Sequence, residues 1–199
     1  MSRRSFGAQM RFLARRGFDG VTLRRVEDAW AGRATLPRRP IVISFDDGYR
    51  SAYDHAFPVL RRLGWPCVLN LAVINMGSPD GLSRAQVRRL IGSGWELASH
   101  TVHHLELTTL PRAALRREVA GSRRLLHRMF RVPVDDFAYP DGRYDRRVVA
   151  AVRAAGYRGA ETEQPGLASR RRRFEQPRVR VDQGDGVPGL RSKLAALLR

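Results

Sequence analysis

One stretch constrains the fold more than any other. Ile41-Val42-Ile43-Ser44-Phe45 is a nearly unbroken apolar run that stops abruptly at Asp46-Asp47-Gly48-Tyr49. Without polar alternation, such a run predicts a strand over 41–45 buried on both faces, as in a parallel sheet covered by helices. Some fifty residues on, Trp95-Glu96-Leu97-Ala98-Ser99 repeats the form and leads into His100-Thr101-Val102-His103-His104. Both segments place metal-binding groups where a strand gives way to a loop. In sheets with helical crossovers, active sites gather at the carboxyl ends of the strands because several loops converge there. The two stretches are therefore read as one site.

The remaining chain alternates in the same way. Apolar spacing and end signals predict helices over 6–16, 24–31, 51–63, 83–91, 111–130, 144–155 and 189–198. Extended segments are predicted over 21–23, 65–73, 95–99, 136–140, 157–162 and 178–181, with an exposed loop over 164–176. Strand and helix in alternation point to parallel β/α architecture. At 199 residues and 43% hydrophobic content, one domain with a sizeable core is expected, spanning 1–199. Trp65 and Trp95 open strands and are expected in that core.

The formal charge of +18 would ordinarily suggest a polyanion partner. Every basic residue except Lys193 is arginine, however, and the arginines run from Arg3 to Arg199, as codon bias alone would produce. No specific nucleic-acid partner is expected; association with an anionic cell-surface polymer is the remaining charge-based reading. Cys67 is the single cysteine and lies in an apolar segment, so it is expected to pack and cannot form an internal disulfide. No stretch reaches the roughly 18 to 20 apolar residues of a membrane span. The basic start, Met1 to Phe6, lacks the apolar region of a secretory signal, which would place the chain in the cytoplasm if the sequence is complete.

A catalytic divalent ion typically takes three protein ligands and keeps one position open. His100 and His104, four residues apart, converge on one ion if the segment makes a helical turn or a tight loop. Asp46 and Asp47 cannot both point the same way at a strand end. One can therefore ligate while the other acts as a general base. An Asp-Asp-Gly turn and incidental histidines are the bland alternatives, and it is the joint occurrence at two strand ends that favours a site. Tyr49 and Tyr139 adjoin it and are expected to contact substrate. His55, His103 and His127 are expected in surface, packing or helix-end roles.

These residues carry a resemblance. Ser44-Phe45-Asp46-Asp47-Gly48-Tyr49 resembles the first motif of the polysaccharide deacetylase family, carbohydrate esterase family four. His100-Thr101-Val102-His103-His104 matches its second, and Phe137-Ala138-Tyr139-Pro140-Asp141-Gly142 its third, in the form used by poly-N-acetylglucosamine deacetylases. The resemblance implies an irregular (β/α) barrel related to the TIM barrel. It implies Asp46 as general base, and Asp47, His100 and His104 as ligands of a divalent metal, zinc in many relatives and cobalt, nickel or iron in others. Thr101 would orient the histidine loop, and the Asp141 backbone N–H would help to stabilise the oxyanion. The implied reaction is hydrolysis of N-acetyl, or less commonly O-acetyl, groups on a glycan, at the cell surface or outside the cell.

The pattern departs from the family in three places. Ala138 stands where many relatives carry an arginine that pairs with the base, and Arg178 is the candidate to supply that charge. No histidine follows His127 to match the family's late general acid. The subgroup usually has one more strand before the equivalent of Phe6. Two further readings follow: a silent relative whose basic surface binds polyanions, and an amide hydrolase for a non-sugar substrate.

Overall fold

The computed structural model describes residues 1–198. A five-stranded, all-parallel sheet runs in the order β3 (Ser44–Phe45), β4 (Val68–Leu71), β5 (Glu96–Ser99), β6 (Asp136–Ala138), β7 (Gly159–Glu161), and a separate parallel pair joins β1 (Asp19–Val21) to β2 (Pro40–Val42). Sequential order with helical crossovers gives a curled half-barrel, the parallel β/α architecture expected from the alternation in the barrel-like form that the resemblance implies.

The helices begin where local chemistry starts them. Ser2, Thr22, Ser83 and Asp145 cap α1 (Arg3–Arg15), α2 (Leu23–Trp30), α4 (Arg84–Ile91) and α6 (Arg146–Ala154), each accepting a first-turn backbone N–H. Gln86 completes a capping box with Ser83. The longest helix, α5 (Arg112–Phe130), follows Pro111. The last, α7 (Gly186–Leu197), starts three residues earlier than the spacing predicts.

Three expectations are corrected. The strand over 41–45 is divided at Ile43: its first half pairs with β1 and its second with β4, and its side chains are half-buried because β3 is an outer strand of its sheet. The helix over 51–63 opens as a wide π turn, Ala52–Ala56, before α3 (Phe57–Leu63). Pro58, which lacks an N–H, sits at the junction, where a regular turn would need that donor. Residues 178–181 form no strand. Instead Gln176 makes a single parallel bridge to Glu161, and beyond it the Arg178 N–H donates to the Gln164 carbonyl at 2.9 Å without extending the ladder.

Period-two alternation divides the strand residues between two interiors. Leu69, Leu71, Leu97, Phe137 and Ala160 join the main core under the helices, where Trp65 and Trp95 are buried as expected. Val68 and Ala98 pack with Leu23 and Val42 in a small second cluster on the opposite side. Asn70 and Glu96 share that alternation and so face the same narrow interior. Polar groups therefore lie above and below a thin apolar layer.

Candidate active site

At the carboxyl ends of the strands, His100 Nε2 and His104 Nε2 lie 3.1 Å apart, and Asp47 Oδ1 lies 3.9 and 3.5 Å from them. Tetrahedral ligands about 2.1 Å from an ion are roughly 3.4 Å apart, so these three donors are spaced to share one. The tautomer fits as well. His100 Nδ1 meets the Ala138 carbonyl at 2.8 Å, which leaves Nε2 as the coordinating atom when Nδ1 carries the proton. Burial pushes the His100 pKa down against the pull of Asp46, so the ring is held neutral, the form that binds a metal.

The loops reach this arrangement through unusual backbone. Asp47 (φ 70), Thr101 (φ 71), His104 (φ 54) and Asp141 (φ 53) all adopt the left-handed region. Non-glycine residues rarely do so unless surrounding contacts impose it. Thr101 accepts the His104 N–H at its Oγ1, 2.9 Å away, closing the tight loop that four-residue spacing requires. Gly48 takes φ 86, where a side chain is strained, and a Cβ there would also come within 2.2 Å of Leu71 Cδ1.

Asp46 points away from its neighbour, into the barrel. Arg178 donates Nη1 to Oδ1 and Nη2 to Oδ2, both at 2.8 Å, and Asn70 Nδ2 donates to Oδ1 at 2.7 Å. Burial opposes the charge, but the fork of Arg178 outweighs it and holds the Asp46 carboxyl far below the usual range. The position vacated at Ala138 is thus supplied by Arg178 from the extended segment after Gln176. Asn70 also donates to Glu161 Oε2 at 3.0 Å, while Arg178 stays 3.7 Å from that atom. One guanidinium faces two carboxylates and serves Asp46 better, and burial pushes the Glu161 pKa up.

The other candidates divide. Tyr49 is 51% exposed, and Asp141 lies in the short turn Pro140–Gly142 of the third motif. Tyr139 is corrected: its side chain is wholly buried, stacks on Tyr144 with ring centroids 5.0 Å apart, and donates its hydroxyl to the Phe174 carbonyl at 2.9 Å. It is a core residue and offers no face to a substrate. Asn70 and Glu161 were not singled out from sequence. Their signal was present, as single polar residues inside buried strands.

The polysaccharide deacetylase family model matches residues 33–160. The Bacillus subtilis (strain 168) protein YxkH, whose name carries a provisional polysaccharide deacetylase assignment, is 30% identical over 183 residues, 92% of this chain. The chain spans 66% of that relative's length. A poly-beta-1,6-N-acetyl-D-glucosamine N-deacetylase of Staphylococcus aureus (strain MSSA476) is 21% identical over 91% of this chain and 67% of its own. Among solved structures, the Streptococcus pyogenes deacetylase PplD in complex with acetate superposes with a TM-score of 0.89 at 21% identity, covering 96% of this chain and 86% of that one.

Proposed function

The chain belongs to the polysaccharide deacetylase family, and we propose that it is a metal-dependent hydrolase removing acetyl groups from the nitrogen of an N-acetylated glycan. The observation that carries the reading is the pairing of two carboxylates in opposed environments: Asp47 among two imidazole nitrogens, Asp46 against a guanidinium. The similarity to a poly-N-acetylglucosamine deacetylase over most of the chain favours an amide over an ester.

Asp47, His100 and His104 would hold a divalent ion, of which zinc suits the two-nitrogen, one-carboxylate donor set. When bound, that ion supplies the Lewis acidity that lowers the pKa of water and polarises the acetyl carbonyl. Asp46 would take the proton from the attacking water and return it to the amine nitrogen as the C–N bond breaks, leaving acetate and a free amine. Its Oδ1 already accepts from both Asn70 and Arg178, whereas Oδ2 accepts from Arg178 alone. The free lone pair for the proton is therefore on Oδ2. Arg178 keeps the half-buried Asp46 ionised, and the Asp141 N–H contributes to the oxyanion site. The exposed Tyr49 offers a ring face for a sugar.

Acetate release from an N-acetylglucosamine oligomer, measured with metal content on the same samples, tests the reading. Asp46→Asn is expected to lose at least about a thousandfold in kcat with metal retained, and His104→Ala to lose metal and activity together. Full activity in metal-stripped protein would refute it. Salt-sensitive binding of polyanions without turnover would favour the silent, basic-surface alternative.

A further inference from the structure

The loop carrying His100 and His104 is fastened from behind by a group outside the site described above. Glu118 lies on α5 with its side chain 5% exposed. Its Oε2 accepts the backbone N–H of Val102 at 3.0 Å and of His103 at 2.8 Å, and its Oε1 meets His103 Nδ1 at 2.6 Å. A buried carboxylate is costly unless several donors meet it. Here three do, and two of them are consecutive amides of the segment between the histidine ligand candidates.

That segment cannot hold its shape by local preference. Thr101 and His104 both sit in the left-handed region, a conformation costing of order 1 kcal/mol or more apiece that persists only where neighbours over-determine it. The other ties on the loop are neutral. Thr101 Oγ1 binds the His104 N–H, and the Thr101 and Val102 carbonyls accept from Val73 and Ile74. Glu118 supplies a charged acceptor, whose hydrogen bonds are roughly twice as strong as neutral ones, and it sits on a nineteen-residue helix. His103, expected to be incidental, is part of the same fastening.

We infer that Glu118 is a positioning residue for the metal site. It sets the spacing of His100 and His104 by pinning Val102 and His103 between them to α5. The inference rests on the proposed metal site, but the loop's rigidity can be measured without an ion.

The test compares Glu118→Ala, Glu118→Gln and Glu118→Asp with the parent chain. It reads zinc affinity by chelator competition, and amide exchange at Val102 and His103 in metal-free protein. Glu118→Ala is expected to weaken zinc binding about 10- to 100-fold, the range for partners that orient ligands, and to speed exchange at both amides while α5 stays protected. Glu118→Gln should recover most of this, since its amide oxygen accepts the two N–H groups and its amide nitrogen can donate to His103 Nδ1. Glu118→Asp keeps the charge but falls short in reach, so it should resemble Glu118→Ala, and it decides the matter if that variant does not fold.

Parent-like exchange and zinc affinity in folded Glu118→Ala or Glu118→Asp would overturn the inference. A loss in Glu118→Gln equal to that in Glu118→Ala would also overturn it. A parent chain that binds no zinc would refute the proposed function, while amide exchange would still decide whether Glu118 pins the loop.

Discussion

The narrow interior of the half-barrel carries acids at both ends, and the ends treat them oppositely. At the carboxyl end, Asp46 meets Arg178 and Asn70 and is held ionised. At the amino end, Glu96 and Asp136 open β5 and β6, with Glu27 entering from α2. There Asp136 is 2% exposed, and neither Asp136 Oδ2 nor Glu96 Oε1 meets an N–H or O–H donor among the described residues. Burial pushes the pKa of both carboxyl groups up. Arg158 reaches Glu27 at 2.8 Å but is divided with Asp28, and burial still raises Glu27 to about 7. The acid at one end is thus held ionised by a guanidinium that faces it with both nitrogens, while those at the other are pushed toward the protonated form, where the cation is shared.

The sharpest way to break this comparison is to remove the cation. Arg178→Met would leave the half-buried Asp46 with only Asn70, beside Glu161. The expected cost is about 3–5 kcal/mol of stability, as for breaking one side of a buried pair, with deacetylation largely lost. Chemical denaturation measures it, and a loss under about 1 kcal/mol would mean that Arg178 does not govern the upper acids. Asn70→Ala should cost less, about 1–3 kcal/mol. It removes the donor shared by Asp46 and Glu161 but leaves the guanidinium in place.

At the lower end the sign reverses. Carboxyl groups whose folded pKa lies above the unfolded value bind more protons in the native state, so stability falls as pH rises through the interval between the two values. For Glu27 that interval runs from 4.5 to about 7, and Glu96 and Asp136 move in the same direction. The parent chain is therefore expected to be less stable at pH 8 than at pH 5. Asp136→Asn supplies a permanent N–H donor toward Glu96. It should stabilise by on the order of 1–2 kcal/mol at pH 8 and give no gain at pH 5. Thermal melts at the two pH values decide it, and an equal effect at both would show that the pair carries no stored proton.

The two ends were unequally legible in the sequence. Asp46, Asp47, His100 and His104 stood out because chemistry-bearing residues followed abruptly on apolar runs, and alternation pointed to parallel β/α architecture, which the resemblance narrowed to a barrel. Arg178 was reachable only because Ala138 left a charge to be supplied, and its segment is not the strand its Val-rich spacing suggested. Glu96, Asp136 and Glu161 were read as ordinary strand residues. What distinguishes them is a neighbour across a parallel register, such as Asp136 opposite Gly159 and Ala138 opposite Glu161, and sequence spacing does not record which strands lie side by side. The division of the strand at Ile43 was hidden for the same reason, since both halves are equally apolar.

The smallest effect separates the two tyrosines that sequence treated alike. Tyr139→Phe removes one buried hydroxyl from the Phe174 carbonyl, leaving an acceptor without its donor. It should lower stability by about 1 kcal/mol and leave KM for the glycan unchanged. Tyr49→Ala deletes a half-exposed ring whose backbone bridges Gly81. Stability should change by less than about 0.5 kcal/mol, while KM rises severalfold if the ring carries a sugar. The pair of measurements is sharper than either alone, because a ring that binds substrate and a ring that fills the core fail in opposite columns. A KM shift in Tyr139→Phe with unchanged stability would return that residue to the site.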